Sequence, residues 1–268
     1  MRERLPGLLA EPLDFYDEFL RDRPRRRRPA VRWRLTHGGW FEDAAWPPAG
    51  VETFVWHLSS PEDRSASHDA RRPQDGGLSA RAETAAKWVR WTHDPESLVR
   101  SAASMPGYFL LADPPDDRCA AERPDVLSFT SGPLREPLDV AGPVLALLRL
   151  DSSCASMHVV ARLLDLLPDG RLRRICDGAA AVDPVDGDAF TVVDLGSVGY
   201  RLMPGHRLTL QVASSDFPRY LPHPGTDEDP WSATSTQQNL QRIRVGGAGG
   251  SRVSMLVHPR PLAGGAGA

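Results

Sequence analysis

The residues that could do chemistry are present in this sequence, but not in working arrangements. Eight histidines are available as bases or ligands, and none has a second at H-x-x-x-H spacing, so a helix-borne zinc pair is excluded. Cys119, Cys154 and Cys176 are odd in number and widely spaced, with no CxxC. That argues against a zinc ribbon or a disulfide framework, and buried free thiols are the simple reading. The triplet Asp227-Glu228-Asp229 carries the oxygen ligands calcium takes, but without an ordered ligand spacing it reads as a solvated loop. A serine nucleophile needs G-x-S-x-G at a sharp strand-to-helix turn. The nearest strings, Gly77-Leu78-Ser79-Ala80-Arg81 and Gly196-Ser197-Val198-Gly199, do not fit. Walker A and G-x-G-x-x-G signatures are absent, and Gly246-Gly247-Ala248-Gly249-Gly250 reads as a loop tip. His206, at the entry to a strand, is expected to bond loop backbone, and Asp216 to cap its turn. No catalytic residue, metal site or cofactor is therefore expected.

The charge balance narrows the partners. The 32 basic and 35 acidic residues give a net charge of -3, which favours neither nucleic acid nor an anionic membrane. The run Arg25-Arg26-Arg27-Arg28 could neutralise phosphates, but it reads as a solvated linker between two structured parts. No stretch approaches the ~20 apolar residues of a membrane span. The opening MRERLPGLLAEPLDF is too broken by Pro6 and Glu11 for a signal peptide, so a cytoplasmic protein is expected.

The elements that would position any site are mostly strands. Residues 11–22 form one convincing helix, with Leu13, Tyr16, Phe19 and Leu20 at helical spacing. After Pro29, short runs alternate with period two between Gly, Pro, Asp and Asn clusters. Strands are expected at 31–36, 53–58, 88–92, 126–130, 143–150, 158–167, 172–177, 190–194, 207–213 and 252–258. In 207–213, Leu208, Leu210 and Val212 face one side and Thr209 and Gln211 the other. Pro168-Asp169-Gly170 turns 158–167 into 172–177 as a hairpin. About ten strands with long connections give an all-β, two-sheet sandwich of jelly-roll type with one N-terminal helix. Residues 59–87 and 101–125 are long polar or Pro- and Asp-rich loops. Of the seven tryptophans, Trp33 and Trp56 lie on strands and should be buried, whereas Trp40, Trp46 and Trp231 fall in expected loops as contact surfaces.

Several segments, in order, carry a family likeness. GGWFEDAAWPP (38–48), THDPESLVRS (92–101), RPDVLSFTSGPLREPLDVAGPV (123–144), VARLLDLLPDGRLRRICDG (160–178), PGHRLTLQVASSDFPRY (204–220) and HPGT (223–226) together resemble the C-terminal domain of the Xaa-Pro dipeptidyl-peptidase and cocaine-esterase (CocE/NonD) family of serine hydrolases. LDFYDEFLRD is similar to the last helix of that family's α/β-hydrolase core, ahead of the jelly roll.

The resemblance implies a galactose-binding-like jelly-roll sandwich over residues 30–260. Residues 1–29 would be the last core helix plus an Arg-rich linker, and 261–268 a disordered tail. The family's nucleophile, acid and base lie upstream of the helix. The chain is therefore expected to be accessory to an α/β-hydrolase core, either a separately encoded one or one lost from a broken gene, and inactive by itself. Leu13, Tyr16, Phe19, Trp40 and Trp46 are the expected core-facing residues, and the helix also offers a surface for self-association. In the family the sandwich helps shape one wall of the substrate pocket, a role that falls here on residues 104–109, with Tyr108 and Phe109 as the wall. Pro106-Gly107 stands where the family usually has Gly-Gly. The competing reading is a free-standing carbohydrate- or ligand-binding sandwich with an aromatic platform.

Overall fold

The computed structural model describes residues 5–21, 28–61, 75–102 and 116–262. In chain order the elements are α1 (Leu5–Leu20), β1 (Val31–Leu35), β2 (Gly39–Asp43), β3 (Glu52–Ser59), β4 (Gly76–Ser79), β5 (Lys87–His93), α2 (Arg118–Ala121), β6 (Leu127–Ser131) and β7 (Leu138–Leu148). They continue with β8 (Leu150–Ser152), β9 (Met157–Leu166), β10 (Leu172–Val182), β11 (Thr191–Leu202), β12 (Arg207–Ala213), β13 (Asn239–Val245) and β14 (Arg252–Val257).

Nine strands form one large sheet in the order β10-β9-β12-β6-β4-β3-β14-β7-β11, antiparallel except for β4 beside β6. The sheet curls until its two edges meet. Gly178 on β10 lies so close to β11 that a Cβ there would sit 2.0 Å from the Asp194 carbonyl oxygen. A three-stranded sheet, β5-β13-β8, forms the second layer. Val89, Trp91, Leu150, Ile243 and Val245 of this layer share one core with Leu127, Phe129, Val144, Leu163, Leu210 and Val253 of the large sheet. The all-β expectation holds, with a single long helix among the described residues, at the N-terminal side. A second, four-residue helix, α2, lies within the 101–125 stretch, where a loop is expected.

Helix α1 starts earlier than the periodicity suggests and runs through Pro12, whose missing N–H removes one intrahelical bond. The 158–167/172–177 hairpin forms as expected: β9 pairs β10, and Gly170 takes the positive φ of +87° that the turn requires. The 143–150 strand is in fact two, with β7 extending back to Leu138 and β8 passing to the other sheet. Strands β2, β4 and β13 go beyond the expected set, and β4 lies within the strand-poor 59–87 stretch. On β12 both faces are buried, because α2 and the chain around Val99 cover the side that carries Thr209 and Gln211.

Candidate functional site

The motif residues converge on a buried ionic network around the turn at 214–220. Arg162, in the middle of β9, donates from Nη2 to Asp216 Oδ1 at 2.7 Å, and both residues are 0% exposed. Asp216 Oδ2 accepts Arg219 Nη1 at 3.0 Å, and the same nitrogen also reaches Asp177 on β10. Arg174, also on β10, lies 3.6 Å from Asp177 and binds Asp117, the residue before α2, through two nitrogens. Burial works against the Arg174 charge. The Asp117 hydrogen bond and the charges of Asp117, Asp177 and Asp216 overcome it and hold its pKa above the ordinary value. Three guanidinium groups thus face three carboxylates across β9, β10, the turn and α2, the arrangement that buried charge requires.

This network fixes the backbone beside it. Phe217 N–H donates to the Val99 carbonyl at 2.9 Å, Ser101 N–H to the Phe217 carbonyl at 2.8 Å, and Val99 N–H to Ser215 Oγ at 2.9 Å. On the other side Asp117 N–H donates to the Leu172 carbonyl at 2.9 Å. Both flanks of the 103–115 stretch are therefore tied to the same set of charges. Asp216 serves as an ion-pair centre rather than the expected side-chain turn cap.

A second polar cluster sits at the turn end of the β9–β10 hairpin. Asp165, fully buried, accepts His206 Nδ1 at 2.9 Å and the Tyr200 hydroxyl at 2.8 Å. Burial first, then the Asp165 charge, push the Tyr200 phenol well above its usual range. His206 is structural as expected, but its ring partner is a carboxylate rather than loop backbone.

A serine and a histidine also come together at the other end of β9. Ser156 Oγ lies 3.0 Å from His223 Nε2, the spacing of a nucleophile and its base. On the other side of the ring, Gly225 N–H donates to Nδ1 at 3.0 Å. An amide can only donate, so the neutral ring carries its hydrogen on Nε2 and gives it to Ser156. That polarity is opposite to a general base.

Tyr108 and Phe109 lie outside the described residues, as do Arg25, Arg26 and Arg27. Leu13, Tyr16 and Phe19 are exposed together along α1, at 60, 56 and 47%. Arg28 turns back onto this helix, pairing bidentately with Glu18 at 2.9 and 3.2 Å. Trp40 is on strand β2 rather than in a loop, under the Arg32 guanidinium. Trp46 packs edge-on to Trp33 and donates to Ser197 Oγ at 2.7 Å. Trp33, Trp56 and Trp91 are buried. Among the described tryptophans only Trp231 is strongly exposed, at 85%, and one indole does not make a platform. The acidic triplet is turned onto its own surroundings: Asp227 accepts Ala155 N–H, Glu228 accepts Thr234 N–H, and Asp229 accepts Trp231 N–H. Of the three thiols expected to be buried, only Cys176 is. Cys154 is half-buried, and Cys119 is exposed on α2.

Residues 26–254 match the X-Pro dipeptidyl-peptidase C-terminal non-catalytic domain. The chain belongs to that family. It is 29% identical to cocaine esterase of Rhodococcus sp. (strain MB1 Bresler), over 77% of this chain and 38% of that protein. A putative serine esterase of Mycobacterium bovis is 26% identical, with 74% and 34% covered. Two solved structures share the fold at a TM-score of 0.74 and 24% identity, each over 91% of this chain and 43% of the other. They are an aminopeptidase from a marine-sediment Thaumarchaeota archaeon and an α-amino acid ester hydrolase. The chain spans less than half the length of each of these proteins. Membership of a non-catalytic domain family accounts for a site made of structural charge pairs rather than a triad.

Proposed function

We propose that this chain is the accessory sandwich of a CocE/NonD-type serine hydrolase, acting in the cytoplasm beside an α/β-hydrolase core that supplies the Ser-His-Asp triad. The observation that carries the reading is the conjunction of family membership with an exposed apolar helix face. Leu13, Tyr16, Phe19 and Leu20 are all exposed on α1, which is uncommon for large apolar groups on one element. Residues 1–29 then belong structurally with the core, and residues 30–260 form the jelly roll. Trp40 and Trp46, half-buried on and after the β1–β2 hairpin, are the proposed second contact.

The 104–109 stretch, with Tyr108 and Phe109, is the proposed pocket wall. Its support is the buried network on both flanks, since a substrate-facing loop needs a rigid root to hold geometry. By family the hydrolysed bond is an ester or amide, and the sandwich itself supplies no reacting group.

Recovery of the chain from its own cells through a C-terminal tag tests this reading. An α/β-hydrolase carrying a fluorophosphonate-reactive serine is expected in one-to-one amount, on the same polypeptide or on a second one. If that core is on a second polypeptide, Leu13→Asp with Phe19→Asp is expected to release it. Recovery of the sandwich with no such hydrolase contradicts the reading.

A further inference from the structure

Three histidine rings fasten the strip Leu221–Gly225 to the sandwich. His158 on β9 donates from Nδ1 to the Leu221 carbonyl at 3.1 Å. His93, at the end of β5, donates from Nε2 to the His223 carbonyl at 2.8 Å. His223 lies between them, bonded through Nε2 to Ser156 and through Nδ1 to the Gly225 N–H, and its ring meets that of His158 edge to face at 5.1 Å. His93 and His223 are both almost fully buried. A proton added to His223 Nδ1 would set N–H against the Gly225 N–H, so the latch holds only while that ring is neutral.

The loop beyond the strip is attached through it and through two exposed bonds, Ala155 N–H to Asp227 and Gln238 Nε2 to Asp94, each at 2.9 Å. Gln237 N–H donates to the Pro224 carbonyl at 2.9 Å, and Gly225 packs so closely on the Gln237 carbonyl that a Cβ would lie 1.7 Å from its oxygen. Cys154 Sγ also bonds the Gly225 carbonyl at 2.9 Å. Losing the Gly225 contact therefore loosens the outgoing and returning arms of the loop that carries Trp231.

We infer that residues 221–238 form an acid-released flap, unlatched when His223 takes up a proton. The charged groups around the latch do not cancel this. Asp227 and Asp183 favour the His223 cation, but burial and the neighbouring His158 and His93 rings outweigh them and hold its pKa down at about 4. His93, faced by Asp125 and Asp94, is also lowered, with burial the leading cause, and His158 likewise. The flap stands apart from core docking and does not depend on it.

Amide protection factors of Gly225 and Gln237, measured by hydrogen-exchange NMR on the full chain and corrected for intrinsic rates, test the inference. An opened flap gives His223 an ordinary imidazole pKa, so protection is expected to be constant above about pH 6.5. Below that the His223 proton alone should lower it by up to about tenfold per pH unit, to about 150-fold at pH 4 and about 300-fold in all at still lower pH. Amides of β12 should keep their protection throughout. His223→Asn leaves an oxygen acceptor near the Nδ1 position and cannot titrate there, so its protection should fall less steeply than in the wild type, with only His93 and His158 left to take up protons. Flat wild-type protection, loss in step with β12, or equal loss in His223→Asn each overturns the inference. If the variant does not fold, the wild-type comparison with β12 decides alone.

Discussion

Arg162 and Asp216 are 54 residues apart in sequence and 2.7 Å apart in space, with no solvent access to either. The pair joins the centre of β9 to the turn that follows β12. Through Arg219, Asp177, Arg174 and Asp117 it extends to the start of α2. What looks in sequence like two separate motifs is one charge network, and its role is to hold a turn and both flanks of the 103–115 stretch.

Removing one partner of this pair leaves a buried, uncompensated charge. Asp216→Ala is expected to cost about 3–5 kcal/mol, read from the urea midpoint at pH 7. Arg162→Met combined with Asp216→Ala should recover part of that loss, because both charges are then gone and Arg219 keeps Asp177. Equal stabilities for wild type and Asp216→Ala would contradict the network's role.

Closure of the large sheet is tested at Gly178. An alanine there would press its Cβ onto the Asp194 carbonyl, which is backbone and cannot rotate away. A loss at the upper end of the about 1–3 kcal/mol typical of overpacking is expected, seen as a lower melting temperature. An unchanged melting temperature would mean that the β10 and β11 edges are not held together.

The network is only partly legible in the sequence. The strings ARLLD, CDG and SSDFPR are visible, yet their charges cannot be paired, because the partners sit on different strands and pairing depends on register. A charged residue inside an apolar run, Arg162 in VVARLLDLL, is the one available signal. Strand β12 is plain from Leu208, Leu210 and Val212. Strand β13 escapes detection because Asn239 and Gln241, two of its four inward positions, are polar and mute the alternation. Strand β4 is four residues with two glycines, too short and too weak in propensity to stand out. The helix is legible because Leu13, Tyr16, Phe19 and Leu20 recur at helical spacing.

His37 gives a local pH test. It occupies the β1–β2 turn at φ +66° and accepts a hydrogen bond from Arg173 Nη1 on β10 at 3.1 Å. Burial first, then the Arg173 charge, lower its pKa below 6.5. Its contribution to stability is therefore complete above about pH 6.5 and is lost as pH falls through the folded-state value. In an NMR titration the His37 midpoint should lie below 6.5 and move upward in Arg173→Gln. A midpoint that does not move would remove Arg173 as a cause.

Helix α1 is expected to be dispensable for the sandwich. Leu13→Asp should change the unfolding free energy, read from the urea midpoint, by no more than about 0.5 kcal/mol, as for a surface substitution. It should also reduce binding of the apolar dye ANS. A large loss of stability would show that the helix packs on the sandwich in solution, leaving no face for a core.

The central claim is that this domain supplies walls and contacts, with the reacting serine on another unit. Incubation of the purified 268-residue chain with a fluorophosphonate probe, followed by intact-mass analysis, tests it most directly. No covalent adduct is expected, Ser156 included, because His223 donates to that hydroxyl and cannot take its proton. Stoichiometric labelling of any serine in the chain would contradict the account.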